Sequence, residues 1–182
     1  MEKEMRHKEF EIPFSGLKLG KHQFDFQIDN AFFDSYQYDE FNEAGIKVTA
    51  ILHKMNTMME LELKAKGWVN VACDLTSEPF NQPIESELEL VVKFGEEFND
   101  EDDEILVLPL GSHQFNIAQY IYEMLVLAVP SKRVHPGIAE GTLDSEILKK
   151  LEELQPKEVK NEENEIDPRW DALKSLLIDK KQ

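Results

Sequence analysis

The longest apolar-periodic run in the chain is residues 116–129, NIAQYIYEMLVLAV, and the rest reads as material that covers it. Ile117, Tyr120, Ile121, Met124, Leu125 and Ala128 recur at the spacing that gathers side chains on one face of an α-helix. Asn116 can cap the first turn, Gln119 stands three residues on as in a capping box, and Pro130 stops the helix because it has no N–H to donate. Tyr122, Val126, Leu127 and Val129 widen the stripe, which predicts a helix buried over most of its circumference. A membrane span is excluded, since about 20 apolar residues are needed and Glu123 interrupts the run.

The clearest β pattern lies upstream. Ile46, Val48, Ala50 and Leu52 share one parity, residues 55–57 offer a tight turn, and Met59, Leu61, Leu63, Ala65, Gly67, Val69, Val71 and Cys73 keep one parity after it. The opposite parity carries Glu60, Glu62, Lys64, Lys66 and Asn70, as a sheet with one solvated face requires. Gly67 in mid-strand predicts a bulge or bend. Ile84, Leu88, Leu90, Val92 and Phe94 repeat the alternation after a turn at Glu78-Pro79-Phe80, so three long strands form an antiparallel meander. Residues 9–14 and 24–28 predict two shorter strands, with Pro13 placing the first at a sheet edge. The aromatic run Phe32, Phe33, Tyr36, Tyr38 and Phe41 has no clean period and is expected as a turn or short helical piece on the core.

Residues 95–104, GEEFNDEDDE, hold seven acids in ten and are too charged to pack. They are expected as a solvated loop or as an acidic patch for a basic partner, with Asp100, Glu101, Asp102, Asp103 and Glu104 as candidate contacts; they lack the glycine and distal glutamate of an EF-hand loop. Residues 105–110, ILVLPL, predict a short buried strand. After Pro130 the chain turns polar: residues 144–154 can form an amphipathic helix, and 155–165 are a charged linker. Asp167-Pro168 is a strong helix start, followed by an apolar stripe of Trp170, Leu173, Leu176 and Leu177. A short anchor on a tether has the form of a docking peptide, with Pro168, Arg169, Trp170, Leu173 and Leu177 as its candidate contacts; the bland alternative is that Trp170 packs on its own domain. These boundaries divide the chain into a core domain at 1–130, a polar linker with a short helix at 131–166, and an anchor helix at 167–182. The expected fold class is α+β, a curved antiparallel sheet or partly open barrel packed on one central helix, with a mobile helical C-terminal tail.

Chemistry is sparse. No nucleophile elbow, P-loop, dinucleotide fingerprint or zinc-protease motif is present, and His7, His22, His53, His113 and His135 are scattered without metal-ligand spacing. Cys73 is the one cysteine, so no internal disulfide forms, and its place at the end of an inward-facing series predicts a buried small side chain. The expectation is a chain that is not an enzyme and needs no cofactor. Lys and Arg number 20 against 37 Asp and Glu, a formal charge of −17. Such a surface repels phosphate backbones and attracts basic partners. Direct RNA contact would need a local patch of Lys132, Arg133, His135, Arg169 and the tail lysines Lys180 and Lys181. The first ten residues mix both signs of charge where a signal peptide would show a positive cluster and then an apolar run, so a cytoplasmic location is expected.

Three stretches together resemble the YceD-like family, the large ribosomal RNA subunit accumulation proteins. Residues 71–80, VACDLTSEPF, resemble its strand-then-turn motif, which usually carries a C-x-x-C pair before Pro-Phe; residues 115–130 are similar to its acidic-apolar helix ending in Leu-Ala-Val-Pro; and DPRWDALKSL at 167–176 is close to its terminal motif. The resemblance implies a bacterial-type cytoplasmic factor, needed for large-subunit ribosomal RNA to accumulate, often encoded beside a small basic ribosomal protein and without known catalytic activity. It points to a basic ribosomal protein or pre-ribosomal particle as partner, with direct ribosomal RNA binding as the alternative. The family's second cysteine is Thr76 here, so a C-x-x-C metal site is not supported.

Overall fold

In the computed structural model the chain forms two compact units, Met1–Asp144 and Ser145–Gln182. The structure describes residues 7–102, 104–143 and 146–154. In the first unit a 3-10 turn at Lys8–Phe10 leads into β1 (Glu11–Pro13) and then β2 (Gly20–Ile28), α1 (Asn30–Ser35), β3 (Glu43–Lys54), β4 (Met58–Ala72) and β5 (Pro79–Gly95). There follow β6 (Asn99–Asp102), β7 (Ile105–Pro109), β8 (Gln114–Asn116), α2 (Ala118–Leu127) and α3 (Pro136–Ala139). In the second unit the described residues form one helix, α4 (Glu146–Leu154), with Ile147 and Leu154 exposed.

The fold is α+β. Six strands make an open sheet in the order β2-β3-β4-β5-β7-β6, and β1 pairs with β8 in a separate two-stranded ribbon. The expected meander is present: β2, β3, β4 and β5 pair antiparallel in unbroken register, from Gly20 opposite Lys54 to Ala72 opposite Pro79. The sheet is mixed rather than wholly antiparallel, because β7 lies parallel to β5. The chain reverses through β6 before reaching β7, and β6 pairs antiparallel with it at the margin. The acidic stretch therefore includes an edge strand where a loop was expected. All four β6 residues are exposed, and backbone pairing with β7 holds them in place.

The two parities separate as expected. Ile46, Val48, Ala50 and Leu52 of β3, and Met59, Leu61, Leu63, Ala65, Val69 and Val71 of β4, are all buried. Against this face pack the aromatics of the N-terminal segment and α1, together with α2: the Phe10 ring lies 5.3 Å from Phe26 and 5.1 Å from Phe32, and Phe14 lies 6.0 Å from Phe115. Asp29 caps α1 by accepting from the Ala31 N–H at 3.0 Å, which turns Phe32 and Phe33 into the core.

The helix α2 is one cover of the sheet. It buries Ala118, Ile121, Met124 and Leu125 and leaves Gln119, Glu123 and Leu127 outward, with Leu127 83% exposed rather than part of the buried stripe. Asn116 does satisfy the first turn, accepting from the Ala118 N–H at 2.8 Å. Gln119 does not complete a capping box; it donates to Glu123 one turn on, at 2.6 Å. Residues 131–143, assigned to the linker on composition, hydrogen-bond to the β4–β5 turn: Asp74 N–H donates to the Arg133 carbonyl at 2.8 Å and Arg133 N–H to Asp74 Oδ2 at 2.6 Å.

Gly67 is neither bulged nor shifted. It pairs in register with Ile46 and Ile84, and a Cβ there would stand 2.6 Å from Ile46 Cα and closer still to the Gly45 carbonyl oxygen. On the neighbouring pair, the Trp68 indole lies over Gly45. Two glycines thus let β3 and β4 approach where any side chain would force them apart. Gly67→Ala should destabilise the fold by roughly 3 kcal/mol, against the small gain that Gly→Ala brings where space allows. Gly16→Ala, with open space around the position, is the control; urea denaturation of both variants reads the difference.

Candidate functional site

The acidic margin can be placed from β6 outward. Asp100, Glu101, Asp102 and Glu104 are exposed, and Asp103 lies outside the described residues. Two side chains close the local turns: Glu101 N–H donates to Asn99 Oδ1 at 2.9 Å and Glu104 N–H to Asp102 Oδ1 at 2.9 Å. The Asp100, Glu101 and Glu104 side chains are exposed, as is Phe98 just before β6.

Two half-buried tyrosines tie this region electrically to the helices. The Tyr120 hydroxyl is pushed up to about 12 by burial and by the negative charges of Asp100 and Glu123. Tyr36 is pushed up to about 12 by burial and then by Glu123 and Tyr122. Tyr36 stacks on Tyr122 at 4.2 Å with the rings 9° from parallel, joining α1 to α2, and His7 stacks on the other side of this pair at 5.0 Å from Tyr36.

Two members of the basic cluster proposed for RNA contact, Arg133 and His135, are engaged by neighbours. The Arg133 guanidinium meets Glu40 at 3.2 Å and Asp74 at 3.5 Å, on top of its two backbone bonds to Asp74. His135 accepts the Gly137 N–H on Nδ1 at 3.0 Å, which caps α3, and its ring packs edge-on to Phe80 at 5.4 Å. Lys132 is exposed. Arg169, Lys180 and Lys181 lie outside the described residues, as do the anchor candidates Pro168, Trp170, Leu173 and Leu177.

The turn after β4 encloses Cys73, which is 2% exposed. Burial pushes its thiol up, but the Thr76 hydroxyl and the backbone N–H groups of His135, Leu75 and Thr76 donate to the sulfur and bring it below the ordinary value. The His135 N–H stands 3.4 Å from Sγ. Thr76 is the one buried polar residue among the described residues, and Ser77 takes the left-handed conformation that closes the turn, with φ of 60°. No group of three His, Cys, Asp or Glu among the described residues is placed to hold a metal. Nor is any helix there long and apolar enough to cross a membrane.

This turn, the α2 helix with its terminating proline and the acidic-apolar strands all fall within one family pattern. The model of the large ribosomal RNA subunit accumulation protein YceD matches residues 61–177, well over half of the chain. The chain belongs to the YceD family. No curated protein matches it at a significant level, and no solved structure does. Membership ties this YceD-family protein to accumulation of large-subunit ribosomal RNA.

The margin on α2 can be read in solution. Tyr36 and Tyr120 should ionise near pH 12 in the folded protein, against an ordinary value of 10. Because each hydroxyl holds its proton more tightly when folded, the stability they contribute is complete below about pH 10 and is lost as pH rises toward 12. Spectrophotometric titration of the native protein beside Tyr120→Phe checks this: the variant should lose one late-ionising group and unfold less steeply over the same range.

Proposed function

We propose that this YceD-family protein is a non-catalytic cytoplasmic factor of large-subunit biogenesis, which supports RNA accumulation by holding a basic ribosomal protein or a pre-ribosomal particle. The observation that carries this reading is family membership in a chain of charge −17 whose sheet margin is an exposed acidic strand. Charge of one sign steers an oppositely charged partner and raises its encounter rate, while apolar contacts set how long it stays. Asp100, Glu101, Asp102, Asp103 and Glu104 would supply the first. Trp170, Leu173 and Leu177, behind the start at Pro168 and Arg169, would supply the second. Direct RNA binding is the weaker reading, because Arg133 is already neutralised by Glu40 and Asp74.

Affinity capture from a bacterial lysate with the full chain should recover a basic ribosomal protein or a large-subunit precursor. Replacing all five acids of 100–104 by amides should slow association and flatten its salt dependence. Trp170→Ala should speed dissociation roughly 30-fold if Trp170 contributes about 2 kcal/mol, as a central aromatic anchor does. Recovery of no ribosomal protein or precursor by the wild-type chain would sink the reading, and tight, steeply salt-dependent binding of ribosomal RNA fragments by the purified protein would replace it.

A further inference from the structure

The outward face of the six-stranded sheet carries a groove of about 660 Å³. Lys21 on β2 and Glu104, whose carbonyl accepts from the Val91 N–H of β5 at 2.8 Å, both line it, so the trough crosses the sheet from β2 to the start of β7. Glu60, Glu62, Glu87, Glu89 and Glu104 line it together with Lys21 and His53. Ile51 and Val91, apolar residues on the solvent-facing parity, are half-buried beneath them.

Strand register explains why this face differs from an ordinary solvated one. Toward the far end of the sheet, charges alternate across strands: Lys64 stands opposite Glu87 and Lys66 opposite Glu85, with ammonium-carboxylate distances of 3.7 and 3.4 Å. Within the groove the alternation fails at one pair, while Glu60 keeps His53 opposite it on β3 and Glu87 keeps Lys64 on β4. Glu62 stands directly opposite Glu89, and Glu60 opposite Val91. Lys64 reaches Glu62 at 2.5 Å, but neither Glu89 nor Glu104 is in an ion pair among the described residues. Like charges placed opposite each other across strands oppose folding, so the sheet keeps an arrangement that an added cation would relieve.

We propose that this face is the docking groove for an extended cationic segment, rich in Lys and Arg, of a partner protein. This rests on the reading above that the partner is basic. Lys and Arg suit the groove in both halves: the aliphatic stem lies on Ile51 and Val91 while the charged head sits between Glu62 and Glu89. Nucleic acid is the wrong charge for five glutamates, and a second copy would bring another acidic face. Glu104 belongs both to the groove and to the acidic stretch that contains β6, so a segment steered by the margin arrives at the mouth of the trough.

The test uses the full chain and a synthetic ten-residue peptide of alternating Arg and Val. Calorimetry should show Glu62→Gln/Glu89→Gln weakening the peptide at least tenfold, while Asp100→Asn/Glu101→Gln/Asp102→Asn, which removes more charge from the margin, weakens it less than threefold. Amide shift changes on peptide addition should centre on Ile51, Glu60, Glu62, Glu89 and Val91. The groove variant should also resist denaturation better than wild type, since its opposed charges are gone; this separates loss of binding from loss of folding. The proposal is overturned if wild type does not bind the peptide, if the groove variant binds as tightly, if the shifts centre on β6, or if the same substitutions abolish a dimer. Capture of ribosomal proteins undiminished by the groove substitutions would overturn the groove and leave the proposed function standing. Peptide seated in the groove of a chain that captures no ribosomal protein would do the reverse.

Discussion

The fold depends on the pairing of β4 with strands on both sides along most of its length. From Met58 to Ala72 every residue of β4 faces a residue of β5, and from Met59 to Asn70 every residue also faces one of β3. Side chains alternate strictly, so slipping either register by one residue would turn Leu61, Leu63, Val69 and Val71 to water and bring Glu60, Glu62 and Lys64 into the core. The Gly45 and Gly67 contact pins the register further, because only this alignment sets glycine against the backbone where β3 and β4 come closest. The aromatic cover, α2 and the marginal strands all add to a platform whose geometry is already determined.

Much of that platform was legible along the chain because its signal is local. The parity of Ile46 to Leu52 and of Met59 to Cys73, the break at residues 55–57 and the apolar spacing of Ile121, Met124 and Leu125 each lie inside one element, and each corresponds to an observed face. What escaped depends on pairings between distant residues. The parallel alignment of β5 with β7 is invisible in either strand alone, and β6 looks like loop because its exposed acids carry no periodic signal while backbone bonds do the pairing. Arg133 looked available for RNA because Asp74, its partner, is 59 residues away. Leu127 looked buried because helical spacing marks a stripe without saying how wide its cover is.

The candidate surfaces divide in the same way. The charge of residues 95–104 and the apolar stripe at 170–177 are properties of composition and need no fold to be noticed. The groove needs one. In one dimension Glu60, Glu62, Glu87 and Glu89 are ordinary outward residues of a solvated strand face, and only strand pairing sets Glu62 against Glu89 and places Lys21 and Glu104 along the same trough. A period of two distinguishes inside from outside and is silent about what stands across the strand.

The β4–β5 turn shows what the Thr76 departure means physically. Where the family pattern places a second thiol, this chain has a buried hydroxyl that donates to the Cys73 sulfur, joined there by three backbone N–H groups. Residues 73–78 close on themselves through the Ser77 N–H to the Cys73 carbonyl at 2.8 Å and the Cys73 N–H to the Glu78 carbonyl at 2.9 Å. The same turn is gripped from outside by Arg133 and His135, which anchor residues 131–143 to it. The His135 N–H stands 3.4 Å from this sulfur, inside a turn that its own backbone closes. The junction lies at the end of these two strands opposite the acidic groove.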